Sequence, residues 1–266
     1  MKLRLYLLEI VLFVIIVTGC SSNVNFVSKK VVSSYSEESI EVEYPLSINI
    51  TGDSGNIEMF SWERDEVKFE ITKKLRGIQP KEELTKMLED FKISTEKDGK
   101  RVIFSSEYKG NIKNPSDKSV DLKVYIPKKV DFVDIDLNVG TIKFFDDIRS
   151  VVNLNVDSVN VDINKLIGKI TMTAHMGNLR ISEGRLESGS SVKTGLGNII
   201  IKTELDEAGE YYFGTDVGNI ELNLPEDSEF GVEAKGSIRQ NEFEQCFSGV
   251  KIKIESKMGD INLTRY

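Results

Sequence analysis

Histidine is almost missing from this chain, with one residue, His175, in 266. Imidazole chemistry is therefore confined to a single position, and a Cys–His catalytic pair would have to bring His175 to Cys246. Proline is scarce at five residues, and no low-complexity tract occurs, which argues against wholesale disorder. Basic charge is in deficit: Lys+Arg 35 against Asp+Glu 43 gives −8, so a nucleic-acid partner, which needs a basic face, is not expected. The one basic stretch, around Lys73, Lys74 and Arg76, reads as a solvated strand or loop end. Nor does any apolar run reach the roughly 20 residues of a membrane-spanning helix. The run near the start is interrupted by Glu9, leaving Ile10 to Val17 as its core.

What is present suits one or two folded domains, at 29% charged and 39% hydrophobic residues. The first 22 residues, MKLRLYLLEIVLFVIIVTGCSS, join a basic head to an apolar core and small residues, the pattern of an export signal. Its end resembles a bacterial lipobox, with Val17 in the aliphatic slot and Gly19 before Cys20. That resemblance implies cleavage before Cys20, a diacylglyceryl thioether on its sulfur, and further acylation of the new N-terminus. Two or three acyl chains anchor stably where one is marginal. With Cys20 lipidated, Cys246 has no intramolecular partner and reads as a small buried hydrophobe.

A repeat then dominates the chain. An anchor position, usually glycine, falls at Gly140, Val159, Gly177, Gly197, Gly218, Gly236 and Gly259, with steps of 19, 18, 20, 21, 18 and 23. An early copy lies at Gly55 in GDSGNIEMF. Aliphatic residues recur two and four positions after the anchor, as in Ile142 and Phe144 or Ile199 and Ile201. A second alternating column precedes it, as in Val133, Ile135 and Leu137. Period-two burial of this kind marks a strand with one face in a core. The residue after the anchor is Asn, Asp, Ser or Thr, suited to a corner and to side-chain bonding between copies. At Phe230, Val232 and Ala234 the register slips by one, the mark of a bulge. Each unit is strand, corner, strand, with Gly55, Gly140, Gly177, Gly197, Gly218 and Gly259 as structural corners. A unit that cannot bury its apolar face alone predicts stacking, and the expected fold is a β-solenoid or β-roll of about 20-residue repeats.

Four segments are expected: a signal at 1–19, a polar tether at 20–39, an N-terminal β region at 40–129, and the repeat region at 130–266, continuous with the preceding one. Within the third, PKEELTKMLEDFKI predicts a short amphipathic helix at about 80–92, with Pro80 at N1 and Leu84, Met87, Leu88 and Phe91 on one face.

The order of these motifs is familiar. Trp62–Val67 (WERDEV) follows the first SGNI corner, then come the helix, EKDGKRVIF, VYIPKKVDF and serial Gly-Asn/Asp-Ile corners. This order resembles the bacterial β-strand-repeat family named "putative adhesin", a domain of unknown function, over roughly residues 40–266. The resemblance implies a surface or envelope protein, with some relatives linked to envelope-stress signalling. It supplies no agreed catalytic residues.

Chemistry finds little purchase in the repeats. The slot two before the anchor holds Asp53, Asn138, Asp157, His175, Gly195, Asp216 and Lys257, a drifting series that reads as a solvent-facing corner. Asp260, just after its anchor, is a further corner acid. The column three past the anchor offers no aromatic row for stacking sugars, and the repeats lack the calcium-roll nonapeptide. The expectation is a non-enzymatic, lipid-anchored envelope protein with an adhesin-like scaffold for macromolecular contacts, and with no catalytic, cofactor-binding or metal residues. Its partners would be a membrane, through the lipid on Cys20, and an unidentified envelope or surface macromolecule. It would sit on the extracytoplasmic face of the plasma or outer membrane. The alternatives are an envelope-stress sensor or regulatory surface lipoprotein, and a carbohydrate-active β-solenoid enzyme.

Overall fold

A computed structural model of the chain describes residues 28–244 and 249–266. It is mainly β, 72% strand with one short helix. Among the described residues, all seventeen strands belong to one continuous hydrogen-bonded sheet.

The chain enters through β1 (Lys30–Glu41), β2 (Ser47–Trp62) and β3 (Glu66–Gly77), then helix α1 (Lys81–Met87). After a single 3-10 turn at Leu88–Asp90 come β4 (Phe91–Asp98), β5 (Arg101–Tyr108) and β6 (Lys118–Pro127). The remaining strands are β7 (Phe132–Arg149), β8 (Val151–Gly168), β9 (Ile170–Met176), β10 (Leu179–Leu186), β11 (Ser191–Leu196) and β12 (Ile199–Lys202). They are followed by β13 (Glu204–Leu205), β14 (Gly209–Val217), β15 (Ile220–Leu224), β16 (Gly231–Asn241) and β17 (Val250–Arg265).

Strands preceding a corner form one wall, here the leading wall, and strands following it form the trailing wall. Pairing is parallel and in register from repeat to repeat, so Gly55 lies opposite Gly140 and Gly140 opposite Val159. The alternation drives this. Val133, Ile135 and Leu137 from the leading wall, and Ile142 and Phe144 from the trailing wall, point into one shared apolar core. Each fully buried aliphatic side chain contributes about 1.5–3 kcal/mol.

The expected β-solenoid or β-roll is overturned by how the ladder ends. β8 and β17 run through their corners unbroken, so each hydrogen-bonds in both walls. From β8 the trailing wall continues through β10, β12 and β15 to β17. From β17 the leading wall returns through β14, β11 and β9 to β8. The circuit is a closed eight-stranded parallel β-barrel. An open array of units, each touching only its neighbours, is not what forms.

Three further expectations need correcting. The helix covers Lys81–Met87 and not 80–92; Pro80 caps it from outside, its carbonyl accepting from the Leu84 amide, and Phe91 already belongs to β4. Strand β1 starts at Lys30, inside the segment read as tether. Ile238, expected in the core column, is exposed on β16, where the ladder with β17 shifts register twice, after Lys235 and after Ile238. Val232 and Ala234 themselves stay in register, opposite Ile252 and Ile254.

Candidate functional site: a polar groove on the leading wall

The corners set the spacing of everything on the surface. Gly55, Gly140, Gly177, Gly197, Gly218 and Gly259 all have φ between 142° and 155°. At Gly197 an added Cβ would lie 1.9 Å from the carbonyl oxygen of Gly177, so two backbones meet where no side chain fits. The carbonyls there are not wasted. Thr215 Oγ1 donates to Gly197 O at 2.9 Å, and Ser256 Oγ donates to Gly218 O at 2.9 Å. This explains the polar end of the leading column: buried hydroxyls satisfy buried carbonyls. Beside the glycines runs an amide ladder. Asn160 Oδ1 accepts from the Asn178 amide at 3.0 Å, Asn178 Oδ1 from Asn198 at 2.8 Å, Asn198 Oδ1 from Asn219 at 2.8 Å, and Asn219 Oδ1 from Asp260 at 2.9 Å.

With backbones pinned in register, outward side chains fall into rows across strands. On the leading wall these rows line a groove of about 730 Å³. Thr51 and Asp53 come from β2, Asp136 and Asn138 from β7, Asn155 and Asp157 from β8, and Thr173 and His175 from β9. Lys92, Ser94, Ser105 and Glu107 from β4 and β5 close the far side. Two of the groove acids, Asp53 and Asp136, are held by cross-strand amides, as is Asp134 further back on β7. Asn155 Nδ2 donates to Asp136 Oδ1 at 2.7 Å, Asn153 Nδ2 to Asp134 Oδ1 at 2.7 Å, and Asn138 Nδ2 to Asp53 Oδ1 at 3.5 Å. Each carboxylate thus keeps lone pairs for an incoming donor while its position is fixed, an arrangement suited to binding hydroxyls or amides of a polar ligand.

A second hollow of about 460 Å³ continues along the same wall over β11, β14, β16 and β17. Tyr212 forms its side. The ring lies over Gly214, where a Cβ would come within 2.5 Å of the phenol oxygen, and the hydroxyl donates to Glu255 at 3.1 Å. Glu255 also receives Lys235 at 3.0 Å and Lys253 at 3.1 Å. These ammonium groups, Lys235 first, hold its carboxyl down at about 2, against an ordinary value of 4.5. Burial and the nearby Glu255 push the Tyr212 phenol upward.

His175 is exposed, as its slot implied, yet it is not isolated: Asp53, Asn138 and Asp157 of the same slot line the groove with it. Asp216 points out further along the wall, 2.8 Å from Lys257. Asp260 stands at the end of the amide ladder. Cys20 and Cys246 lie outside the described residues. Among the described residues, no group of three His, Cys, Asp or Glu could hold a metal ion, and no helix is long and apolar enough to cross a membrane.

Sequence reasoning missed an aromatic row. On the outer face of the trailing wall Phe60 stacks on Phe145 at 4.9 Å and on Tyr125 at 5.3 Å, and Tyr125 on Trp62 at 5.3 Å. The rings sit five past the anchor (Phe60, Phe145), seven past it (Trp62) and on β6 (Tyr125), outside the periodic columns two and four past the anchor. Pairing Phe60 with Tyr125 requires β6 to lie beside β2, 65 residues away, which no local pattern specifies.

No protein-family model and no curated protein matches the chain. Solved structures do. One is a "putative cell adhesion protein" from Clostridium sporogenes, 14% identical, covering 88% of this chain and 100% of its own, with a TM-score of 0.35. Another is a "putative adhesin" from Bacteroides fragilis, 12% identical, covering 86% of this chain and 97% of its own, with a TM-score of 0.37. A third is a "putative lipid binding protein" from Parabacteroides distasonis, 14% identical, covering 86% and 96%, with a TM-score of 0.34. Likeness at these values carries no argument about function.

Proposed function

We propose that this chain is a non-enzymatic, adhesin-like protein of the cell envelope, held to a membrane by lipid on Cys20 and binding a polar macromolecular surface in its groove. The observation that carries the reading is the groove itself: hydroxyl, amide and carboxylate side chains, pre-positioned by cross-strand hydrogen bonds on a rigid wall. Preorganised polar groups bind at small entropic cost. Two of the same bonds count against hydrolysis, because they tie Asp53 and Asp136 to amides of neighbouring strands and so occupy lone pairs that a carboxyl pair would need free.

Filling the groove tests the reading. Asn155→Arg with Thr173→Arg places two long side chains over its floor while leaving the inward-facing Leu154 and Met172 untouched. Attachment of the purified chain to intact cells or isolated envelope material should fall at least tenfold, with the melting temperature unchanged. Undiminished attachment would reject the groove as the binding face. The anchor is tested separately: mass spectrometry of membrane fractions should find acylated Cys20, and Cys20→Ala should leave the membrane. A membrane-bound Cys20→Ala chain would remove the lipid from the account.

A further inference from the structure

One column of the repeat has so far no role. The residue just before the glycine is apolar at the corners Gly177, Gly197, Gly218 and Gly259, though Lys235 precedes Gly236, and it points outward: Met176 is 44% exposed, Leu196 42%, Val217 40% and Met258 63%. These are not scattered. Leu196 lies opposite Met176 and opposite Val217, and Val217 opposite Met258, on successive parallel strands. At the usual strand spacing they form a ridge about 14 Å long and one side chain wide. Unlike the rings of the trailing wall, which stack on one another, these four exposed aliphatic residues form a line on the corner edge that calls for a covering surface.

The strand topology says what lies on that edge. Trailing-wall strands run away from the corner, and β3 is antiparallel to β6, so β3 returns toward the corner and ends there at Gly77. Its partner β1 is antiparallel again, and Lys30 pairs with Gly77. The corner level at that end is fixed by Gly55, which abuts the Val120 carbonyl, and by Ser54, which donates to the Lys118 carbonyl. The chain therefore enters the barrel on the corner edge, the same edge that carries the ridge. Ile78, just past Gly77, is a further exposed aliphatic residue there. Charge does not decide the matter, since Lys29 at the entrance is paired with Asp117 and the first turn of α1 nearby carries Glu82 and Glu83.

The length of chain before the barrel does. Ten residues separate Cys20 from Lys30, at most about 35 Å when extended. From β1 to β17 along the trailing wall is nine strand steps, about 43 Å. A lipid on Cys20 thus holds the corner edge close to the bilayer, at an effective concentration where a shallow apolar contact suffices.

We infer that the corner edge is the membrane-facing edge, and that Met176, Leu196, Val217 and Met258 dip into the lipid interface beside the anchor. The barrel then lies along the bilayer with the groove of the leading wall turned to the side. This rests on the anchor reading above, so its test supplies the anchor chemically. The chain from Cys20 onward, which contains every described strand and the whole described core, carries Cys246→Ala. It is coupled through Cys20 to maleimide-phosphatidylethanolamine in phosphatidylethanolamine–phosphatidylglycerol vesicles doped with a diazirine phospholipid. After irradiation, mass spectrometry should place lipid adducts on peptides holding Met176, Leu196, Val217 and Met258, at least fivefold above those on Trp62–Glu66 at the opposite edge. Leu196→Glu with Val217→Glu, at surface positions that leave the core intact, should abolish the excess. Adducts spread evenly, or concentrated at Trp62–Glu66, would overturn the inference. So would a ridge protected by a second copy, seen as a dimer in sedimentation without vesicles that Leu196→Glu dissociates. Failure to find lipid on Cys20 in cells would instead strike the anchor and leave this measurement standing.

Discussion

At the residue scale, position in the corner decides what a side chain can do. Gly197 and Gly99 both have positive φ, 155° and 59°, but only Gly197 is packed against backbone; a Cβ at Gly99 meets nothing within 4 Å. Gly197→Ala should therefore cost more than the roughly 1–3 kcal/mol of an unfavourable backbone region, because the Gly177 carbonyl must also move. Gly99→Asn, in a hairpin turn that Asn tolerates, should cost under about 1 kcal/mol. Thermal melts of the two variants make the comparison, and equal losses would mean that the close approach is not what the glycine serves. The sequence made these glycines visible through their period, but not the reason for them. A carbonyl 1.9 Å from an absent Cβ belongs to the preceding repeat, 20 residues earlier. His175 teaches the reverse. Its exposure was legible from the variability of its slot, yet its neighbours in the groove were not, because Asp53 comes from β2, more than a hundred residues away.

At the element scale, the strands read well where alternation is strict and poorly where an element depends on a distant partner. The buried columns of β7 to β12 follow the period residue by residue. The helix ends early because Phe91 is claimed by β4, whose partner strand sets the Tyr108 ring tilted against it at 4.8 Å; helical spacing alone could not see that competition. Ionic contacts between strands were equally invisible, and the Glu255 cluster gives the sharpest of them a measurable consequence. The Glu255 carboxyl is held below its ordinary value by Lys235, Lys253 and Tyr212, of which Lys235 and Tyr212 tie β17 to its neighbours β16 and β14. A carboxyl lowered in the folded state contributes stability that is present above pH 4.5 and lost as pH falls toward 2. The difference in melting temperature between the native chain and Glu255→Gln should be largest near neutral pH and shrink through that window. High salt should reduce it too, since the cluster is solvent-exposed. A difference that stays constant from pH 7 to pH 2.5 would show that Glu255 contributes through packing alone.

At the scale of the whole molecule, closure is the property that repetition could not reveal. A period of about twenty residues says that strands pair with their counterparts one repeat on. It does not say that β8 and β17 each remain whole through the corner and so join both walls. That continuity makes β17 a keystone: it pairs with β14 and β16 through its first half, and with β15 and β16 through its second. Ending the chain after Gly249 would remove six buried side chains at one end of the core, Val250, Ile252, Ile254, Ser256, Ile261 and Leu263, and uncover the faces of Tyr211 and Phe213 that lie opposite Ile252 and Ile254. It would also leave the parallel edges of β14 and β15 unpaired in the same step, and exposed edges of this kind template aggregation. The truncated chain should therefore lose its cooperative melt and aggregate, although β1 to β15 keep their full sequence. If each repeat were held only by its neighbour, the loss would be local and the rest would melt much as before. A truncated chain that stays monomeric, with a single transition within a few degrees of the native one, would mean that closing the ring adds little to what neighbouring strands already provide.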